Sequence, residues 1–521
     1  MPQIPFVAAR RAIAAPAAAS HAPSACGLQH GSLQALTSAT MSRSPGRMYS
    51  RAVPSATGRR RASINTPLLS CTNAPNMLPR TPVRPFVALR KASTMSGGRS
   101  TPHEVPFEYA AVVVGAGPAG VTCVGNLLER KVEPILWVDD GFDGGRVNRK
   151  YREVPSNTKV GLFVDFATAL TPFRKIVSGT PSRSRWDEPS ESDGELVGGQ
   201  SDKLQDLRSL DQTKGCRLSH AADMILMLTE GLKKTPGVFA QPGKVAQGEL
   251  DESTGKWNVR IDSPQQSESD VVSAQTQRLI LCTGASPTVT SLPGKVSGLP
   301  PLDLDTALSP TKLSQKLSPL GPTTVSVIGA SHSAILVLRH LYQLAASSKP
   351  DLKIKWFTRH ALRYAEYMDG WILRDNTGLK GEAAVWAKEN LEPEVFQQSP
   401  VSQYVEAISY DKGKEQEVFE QHLPGSNFVV QAIGYTRDPI PALTTKDGKN
   451  IEAHYDHETG QFNYAKESAG GSFGDVGKLP GTYGAGIAWP ERVKDPYGNV
   501  EYAVGFAKFM KFVKRVSPEW N

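Results

Sequence analysis

Gly115, Gly117 and Gly120 stand at Gly-x-Gly-x-x-Gly spacing directly after the apolar run Ala111–Val114. A carboxylate, Asp139, closes the next apolar run roughly twenty-odd residues past the first glycine, the distance at which an acid meets ribose hydroxyls. The three glycines imply three tasks. Gly115 permits a sharp turn, Gly117 lets the backbone approach a pyrophosphate, and Gly120 lets a helix pack closely on a strand. Pro118 and Ala119 fill the turn, and a proline in the first turn of a helix loses no needed N–H. The free N–H groups and partial positive charge of such a helix start suit a phosphate. The ligand implied is a dinucleotide.

The elements that must hold these residues are legible around them. Ala111–Val114 reads as a buried parallel strand. Val121, Val124, Leu127 and Leu128 form one apolar helical face, and Pro134–Val138 is the next strand. Gly141-Phe-Asp-Gly-Gly-Arg146 follows, a glycine-rich loop with a basic end. It either lies against the diphosphate or flavin, with Arg146 contributing charge, or is an ordinary connecting turn.

A second unit of the same kind begins at Thr324–Ile328. Its turn, Gly329-Ala-Ser-His-Ser-Ala334, is a relaxed fingerprint in which Ser331 and Ala334 replace the second and third glycines and Ser333 lies between them. Small residues still admit phosphate to the start of the helix Ile335–Ala345. His332 is expected to be a helix-start residue with a satisfied ring, in preference to a catalytic base. The next strand, Lys353–Phe357, ends in Thr358-Arg359-His360 with no acid. A guanidinium there favours a 2′-phosphate, so Arg359 points to NADPH over NADH.

The 521 residues suffice for two or three domains, and 39% apolar content with a mean hydropathy of −0.32 fits a soluble globular body. The pI near 9.1 comes from one end. Residues 1–94 hold twelve Arg/Lys and no Asp or Glu, which against a formal net charge of +8 leaves the remainder at −4. Nucleic-acid binding is therefore not implied. The arm over residues 1–105 matches a mitochondrial transit peptide in composition. A disordered arm without an address and translation from Met95 both compete with that reading. The cysteines 26, 71, 123, 216 and 282 form no Cys-x-x-Cys, so neither zinc nor a dithiol redox pair is signalled. No apolar run approaches a membrane span. The pair His454 and His457 reads as a surface turn, with no metal expected.

Other stretches connect the two units. Residues 179–215 read as an inserted polar loop, Ser219–Lys234 as a helix, and Lys244–Leu250 with Lys256–Ile261 as antiparallel strands. Tyr364–Leu391 reads as helical. In the tail, Gly484 and Gly486 precede a helix from about Asn499 to Val516. Its basic face, Lys508 to Arg515, is expected to cover a core and not to lie on a membrane.

The order Asn157-Thr158, Phe163, Asp165-Phe166 resembles the segment after the first nucleotide unit in flavin-containing monooxygenases. Ala432-Ile433-Gly434-Tyr435 resembles the stretch by which two-domain monooxygenases return to the flavin domain, and Thr283-Gly284 the outward crossing. The resemblance implies that Asn157 lies beside the flavin ring, where it helps hold the oxygen adduct and the nicotinamide. The residues alone equally allow an Asn-Thr turn bonded to its own backbone. It also implies an α/β fold of two Rossmann-like dinucleotide-binding domains with small antiparallel β additions. The FAD domain would span 106–318 and 428–521, with the NAD(P) domain, 319–427, inserted. Gly484 and Gly486 would lie under the ribityl chain.

FAD and NADPH, with NADH as the alternative, are thus the expected cofactors, and a small organic molecule the expected substrate. The family's Phe-x-Gly-x-x-x-His stretch is absent from the interdomain linker, so three outcomes stand. They are oxygenation, electron transfer to a quinone or other carrier, and a flavin-bound redox-sensing partner with little turnover. The missing Cys-x-x-Cys excludes disulfide reduction by the usual dithiol route. Oligomeric state is not readable.

Overall fold

The computed structural model describes residues 107–179, 202–263, 272–467 and 473–520. The expected arm over 1–105 lies outside them. Among the described residues no helix is long and apolar enough to cross a membrane.

The strand Ala111–Val114 is an interior strand of a seven-stranded sheet. It pairs in parallel with Ile135–Asp139 on one side and Leu279–Leu281 on the other. Its unbroken apolar character follows from burial on both faces. Ala111 and Val113, with Trp137 and Ile280, face the helices Pro118–Glu129, Val160–Thr168, Leu218–Lys233 and Phe506–Val516. Val112, with Leu136, Val138, Leu279 and Leu281, faces a second layer of β-structure that contributes Trp257, Val259 and Ile261. That layer includes the antiparallel pair Lys244–Asp251 and Lys256–Asp262.

The second unit is a separate four-stranded parallel sheet, ordered Val405–Ser409, Leu352–Thr358, Thr323–Ile328, Phe428–Gln431. Its inner strand Thr323–Ile328 is also buried on both faces. Val325, Val327, Ile354 and Trp356 pack with the helix His332–Ser347. Ile328, Phe357 and Val429 pack with Phe419 and Leu423 on the other side. The chain crosses between units twice, and the crossings, Ala285–Pro287 and Tyr435–Arg437, lie side by side as an antiparallel ladder.

The units are internal copies at atomic detail. Val113 pairs with Trp137 and Val327 with Trp356, each valine two residues before its first glycine. The Trp137 ring N–H donates to the Gly115 carbonyl at 2.9 Å, and that of Trp356 to the Gly329 carbonyl at 2.8 Å. Each tryptophan thereby satisfies the carbonyl that the turn removes from its ladder.

Four expectations need correction. The strand Phe428–Gln431 belongs to the second sheet, so the return to the first unit begins after it, because Val429 and Val430 are buried within that sheet. The 179–215 stretch contains the helix Asp202–Ser209, which Leu204 and Leu207, three apart and buried, fix to the core. Residues 180–201 of that stretch lie outside the described residues. Tyr364–Leu391 is helical only over Gly381–Asn390; Glu366–Tyr367 and Ile372–Leu373 form a hairpin. The tail helix starts at Phe506, after a hairpin of Glu491–Lys494 with Val500–Ala503. Gly505, at φ 142°, is a break that only glycine accepts readily.

Candidate functional site

The first glycine turn divides its labour as the residue types imply. Gly115 has φ +104°, and a Cβ there would meet the Cys282 carbonyl oxygen at 2.4 Å. A Cβ at Gly120 would lie 1.9 Å from the Gly115 carbonyl oxygen, so the helix approaches the strand to a distance no side chain allows. At Gly117 the situation is opposite. Its backbone is extended, and a Cβ would meet nothing within 4 Å. Open space thus lies in front of the free N–H groups of the helix Pro118–Glu129, as a diphosphate requires.

Neighbouring loops close around this turn. A Cβ at Gly145 would come 3.2 Å from the Gly117 Cα, so the 141–146 loop lies directly against it. A Cβ at Gly486, φ +97°, would meet the Ala119 Cβ at 2.6 Å, which brings the tail loop to the same helix start. Gly484 is spent structurally: its N–H donates to Gly460 and its carbonyl accepts from the Tyr455 hydroxyl.

Asp139 does local work. One carboxylate oxygen accepts from the Ala116 N–H at 2.7 Å, and the other from Gly141 and Phe142 at 2.9 and 2.7 Å. It ties the turn to the following loop, and a carboxylate with about four lone pairs keeps one for a ribose. The Arg146 guanidinium turns away from the turn. It is ion-paired with buried Asp305 and donates to Ser286 at 2.5 Å. Burial disfavours its charge, but Asp305 more than compensates and raises its pKa.

The second turn repeats the first. Gly329 has φ +134°, and its Cβ would meet the Ala432 carbonyl oxygen at 2.3 Å and the Ala334 Cβ at 3.4 Å. Ser331 caps the helix His332–Ser347 with no side-chain bond of its own. The His332 ring is not satisfied, contrary to expectation: its enclosed Nδ1 has no hydrogen-bond partner. Burial, with Lys380 nearby, pushes its pKa down to about 4, so the ring is neutral. Arg359 is half-exposed at its strand end, 3.5 Å from Glu415. It lines a cavity of about 1280 Å³ with Thr358, His360, Tyr410 and Asp411. This cavity continues along the edge strand Val405–Ser409, and no residue of the second glycine turn is among those that line it.

Asn157 lies exposed in a tight turn closed by Ser156, whose hydroxyl accepts from the Thr158 N–H at 2.9 Å. The turn chemistry thus falls to Ser156, and among the described residues the Asn157 carboxamide accepts a hydrogen bond from the Thr158 hydroxyl alone, at 3.5 Å. Gly381 of the second unit comes close: a Cβ there would be 3.9 Å from the Asn157 Cα.

Beside this meeting point is a charged cluster that residue spacing did not disclose. Asp375 is ion-paired with Lys380 and, at 2.7 Å, with Lys508 from the tail helix. Burial disfavours the Asp375 charge, but the two lysines outweigh it and lower the pKa. Burial lowers that of Lys508 despite Asp375. Glu501 accepts from the Asn376 N–H at 3.0 Å and from the Thr377 hydroxyl. The 375–381 stretch is thereby fastened to the first unit. Little in the local sequence marks these residues, because apart from the pair of Asp375 with Lys380 their partners lie more than a hundred positions away.

No protein-family model matches the chain. Over 416 residues it is 50% identical to the monooxygenase AgnR1 of Paecilomyces divaricatus, covering 80% of this chain and 98% of the relative. Among solved structures it resembles the reduced ornithine hydroxylase of Pseudomonas aeruginosa, with 11% identity, a TM-score of 0.46, and coverage of 79% of this chain and 98% of that one. It also resembles the NADP+-bound cyclohexanone monooxygenase of Rhodococcus sp. Phi1, with 12% identity, a TM-score of 0.44, and coverage of 80% and 84%. These structural likenesses are too loose to carry an assignment.

Proposed function

The chain belongs to the family of the monooxygenase AgnR1, and on that premise we propose that it is an FAD-dependent oxidoreductase that draws on NADPH and oxygenates a small organic molecule. The observation that carries the reading is the open space at Gly117 in front of a helix start, in a chain that builds the same strand–turn–helix–strand unit twice. A turn merely relic in function would have no reason to keep that space clear.

When bound, a flavin supplies hydride acceptance from a nicotinamide and the activation of dioxygen; the protein supplies placement and exclusion of water. Gly117, Ala119 and Gly120 would offer backbone N–H groups to the first diphosphate, with Gly115 and Pro118 shaping the turn and Asp139 fixing it and offering its remaining lone pair. Gly486 brings the tail loop against that helix start. Gly329, Ser331, Ser333 and Ala334 would take the second diphosphate, and half-exposed Arg359 a 2′-phosphate. The exposed Asn157 carboxamide offers a donor and an acceptor without a charge, which suits contact with a redox ring or an oxygenated species.

The purified full chain should be yellow. NADPH should bleach its visible band without oxygen, and isotopically labelled dioxygen should place one labelled atom in the product. A colourless protein that cannot be reconstituted with FAD overturns the reading. Bleaching followed by peroxide release, with no labelled product from any organic substrate tried, leaves an oxidoreductase but removes oxygenation.

A further inference from the structure

Glu501 stands in the tail hairpin of the first unit and is only 9% exposed, while its strand neighbours Val500 and Tyr502 face water. Among the described residues its carboxylate accepts three hydrogen bonds, and all three come from the second unit. The donors are the Asn376 N–H at 3.0 Å, the Asn376 carboxamide at 3.2 Å and the Thr377 hydroxyl. A buried carboxylate is costly without partners, and the pairing of a hairpin does not call for one. Hydrogen bonds to a charged acceptor are the stronger kind. The tail grips the same residues from a second side. Lys508, in the first turn of the helix Phe506–Val516, is 2.7 Å from Asp375 and donates to the Asn376 carboxamide oxygen, which also accepts from the Val504 N–H at 3.3 Å.

The gripped residues lie within a longer stretch, 366–381, whose two ends rest on one turn of the first unit. At one end the Lys159 ammonium stands 5.6 Å over the Tyr367 ring. At the other a Cβ at Gly381 would lie 3.6 Å from the Ser156 carbonyl oxygen and 3.9 Å from the Asn157 Cα. Between them Trp371 meets Tyr497 edge to face at 5.1 Å. Gly381 then opens the helix Gly381–Asn390, whose Ala383 and Ala387 are buried in the same core as Ile335 and Leu338. Its Glu382 is ion-paired with Arg339 at 2.7 Å. The stretch therefore links the Asn157 turn and the tail to the helix His332–Ser347, which starts at the second glycine turn.

We propose that Glu501 is a positioning residue for hydride transfer between the two cofactors: by holding Asn376 and Thr377 it sets the second unit's helix pair, and the dinucleotide at its start, against the first unit. The proposal rests on NADPH as the second ligand and FAD as the first. Two electrons and one proton pass as hydride from nicotinamide to flavin, and Glu501 exchanges none of them. Such a transfer is sensitive to approach, since a misplacement of about 1 Å costs about a hundredfold in rate.

The test uses the full-length, flavin-loaded protein and its Glu501→Ala, Thr377→Val and doubly substituted variants. Anaerobic bleaching of the flavin by NADPH is followed by stopped flow, giving a limiting rate and an apparent Kd, with dithionite bleaching as the comparison that needs no second unit. Glu501→Ala should lower the limiting rate about tenfold or more and change the Kd for NADPH by less than about twofold, since position and not binding is lost. Dithionite should bleach parent and variant alike. Thr377→Val removes a single bond from an exposed hydroxyl, so it should fold normally and lower the rate in the same direction by less. The double variant should be no slower than Glu501→Ala, because that substitution already removes the partner of Thr377. An unchanged limiting rate in Thr377→Val, or fully additive losses in the double variant, overturns the proposal. So does slowed dithionite bleaching, or a loss of NADPH affinity as large as the loss of rate. A yellow parent protein that NADPH does not bleach removes the NADPH assignment and the proposal together, whereas a parent that bleaches and variants that match it remove Glu501 alone.

Discussion

Gly117→Ala and Gly120→Ala alter the same motif, and the structure assigns them opposite failures. At Gly117 the φ of −76° and ψ of −174° suit any residue, and the added Cβ meets nothing within 4 Å. Restricting the unfolded chain should stabilise the variant by about 0.4–1 kcal/mol. Alanine caps a helix less well than glycine, a loss of similar size. The cofactor-free protein should therefore melt within a degree of stability, about 1 kcal/mol, of its parent. In the loaded protein the same methyl stands where the diphosphate must approach. Overpacking of that kind costs about 1–3 kcal/mol, or roughly fivefold to 150-fold in FAD affinity. Gly117→Val should be worse and emerge colourless. At Gly120 the Cβ would sit 1.9 Å from a backbone oxygen that cannot swing aside. The helix must lift off the strand, so Gly120→Ala should lose about 3 kcal/mol of stability with or without cofactor. The assay is paired: flavin per chain from the visible spectrum, and melting temperature of stripped protein. A Gly117→Val protein that is fully yellow refutes the placement of the diphosphate, and a Gly117→Ala apoprotein that melts far below its parent refutes the claim that this space is free.

Arg359→Ala should weaken NADPH about tenfold or more while changing NADH little, since the lost contact is with a 2′-phosphate; equal losses in a steady-state comparison argue that Arg359 serves only Glu415. Trp137→Phe and Trp356→Phe each strand a glycine carbonyl and should each lower stability by about 1–3 kcal/mol in chemical denaturation, by similar amounts because the two sites are copies. Burial pushes both His332 and His340 from 6.5 down to about 4. Between those values the unfolded chain takes up protons that the folded one refuses, so stability is full above 6.5 and falls as pH drops through 4. Melting temperature followed over this window should decline less steeply in His332→Asn, and an identical decline would place the ring in contact with water.

Much of the candidate site could be read along the chain because its signals are local. A glycine turn between two doubly buried strands uses consecutive residues, and the roles of Gly115, Gly117 and Gly120 follow from backbone sterics alone. Even the relaxed second turn was visible, since a strand, small residues and a helix remain in order. The repeat of Val113 with Trp137 in Val327 with Trp356 was equally present in the letters, as a tryptophan in each second strand. The apolar run 428–433 reads equally well as part of the first domain, because a strand buried on both faces looks the same in either sheet; only its pairing with Thr323–Ile328 settles which it joins. Periodicity starts the tail helix too early because Val500–Ala503 pairs with residues that the hairpin brings back, a partner that periodicity does not name.

What the amino-acid order determined by itself was where backbone can bend and which segments must be buried, since sterics and hydrophobic pattern act over a few residues. What only the tertiary structure decided was which charges meet. Arg146 could have faced a diphosphate and instead faces Asp305; Asp139 spends three of its lone pairs on backbone N–H groups; Lys508 and Lys380 share Asp375 across the two units. Hydrogen bonds and ion pairs act over a few ångströms of space and are indifferent to sequence separation. Their partners therefore become known only when the chain has closed.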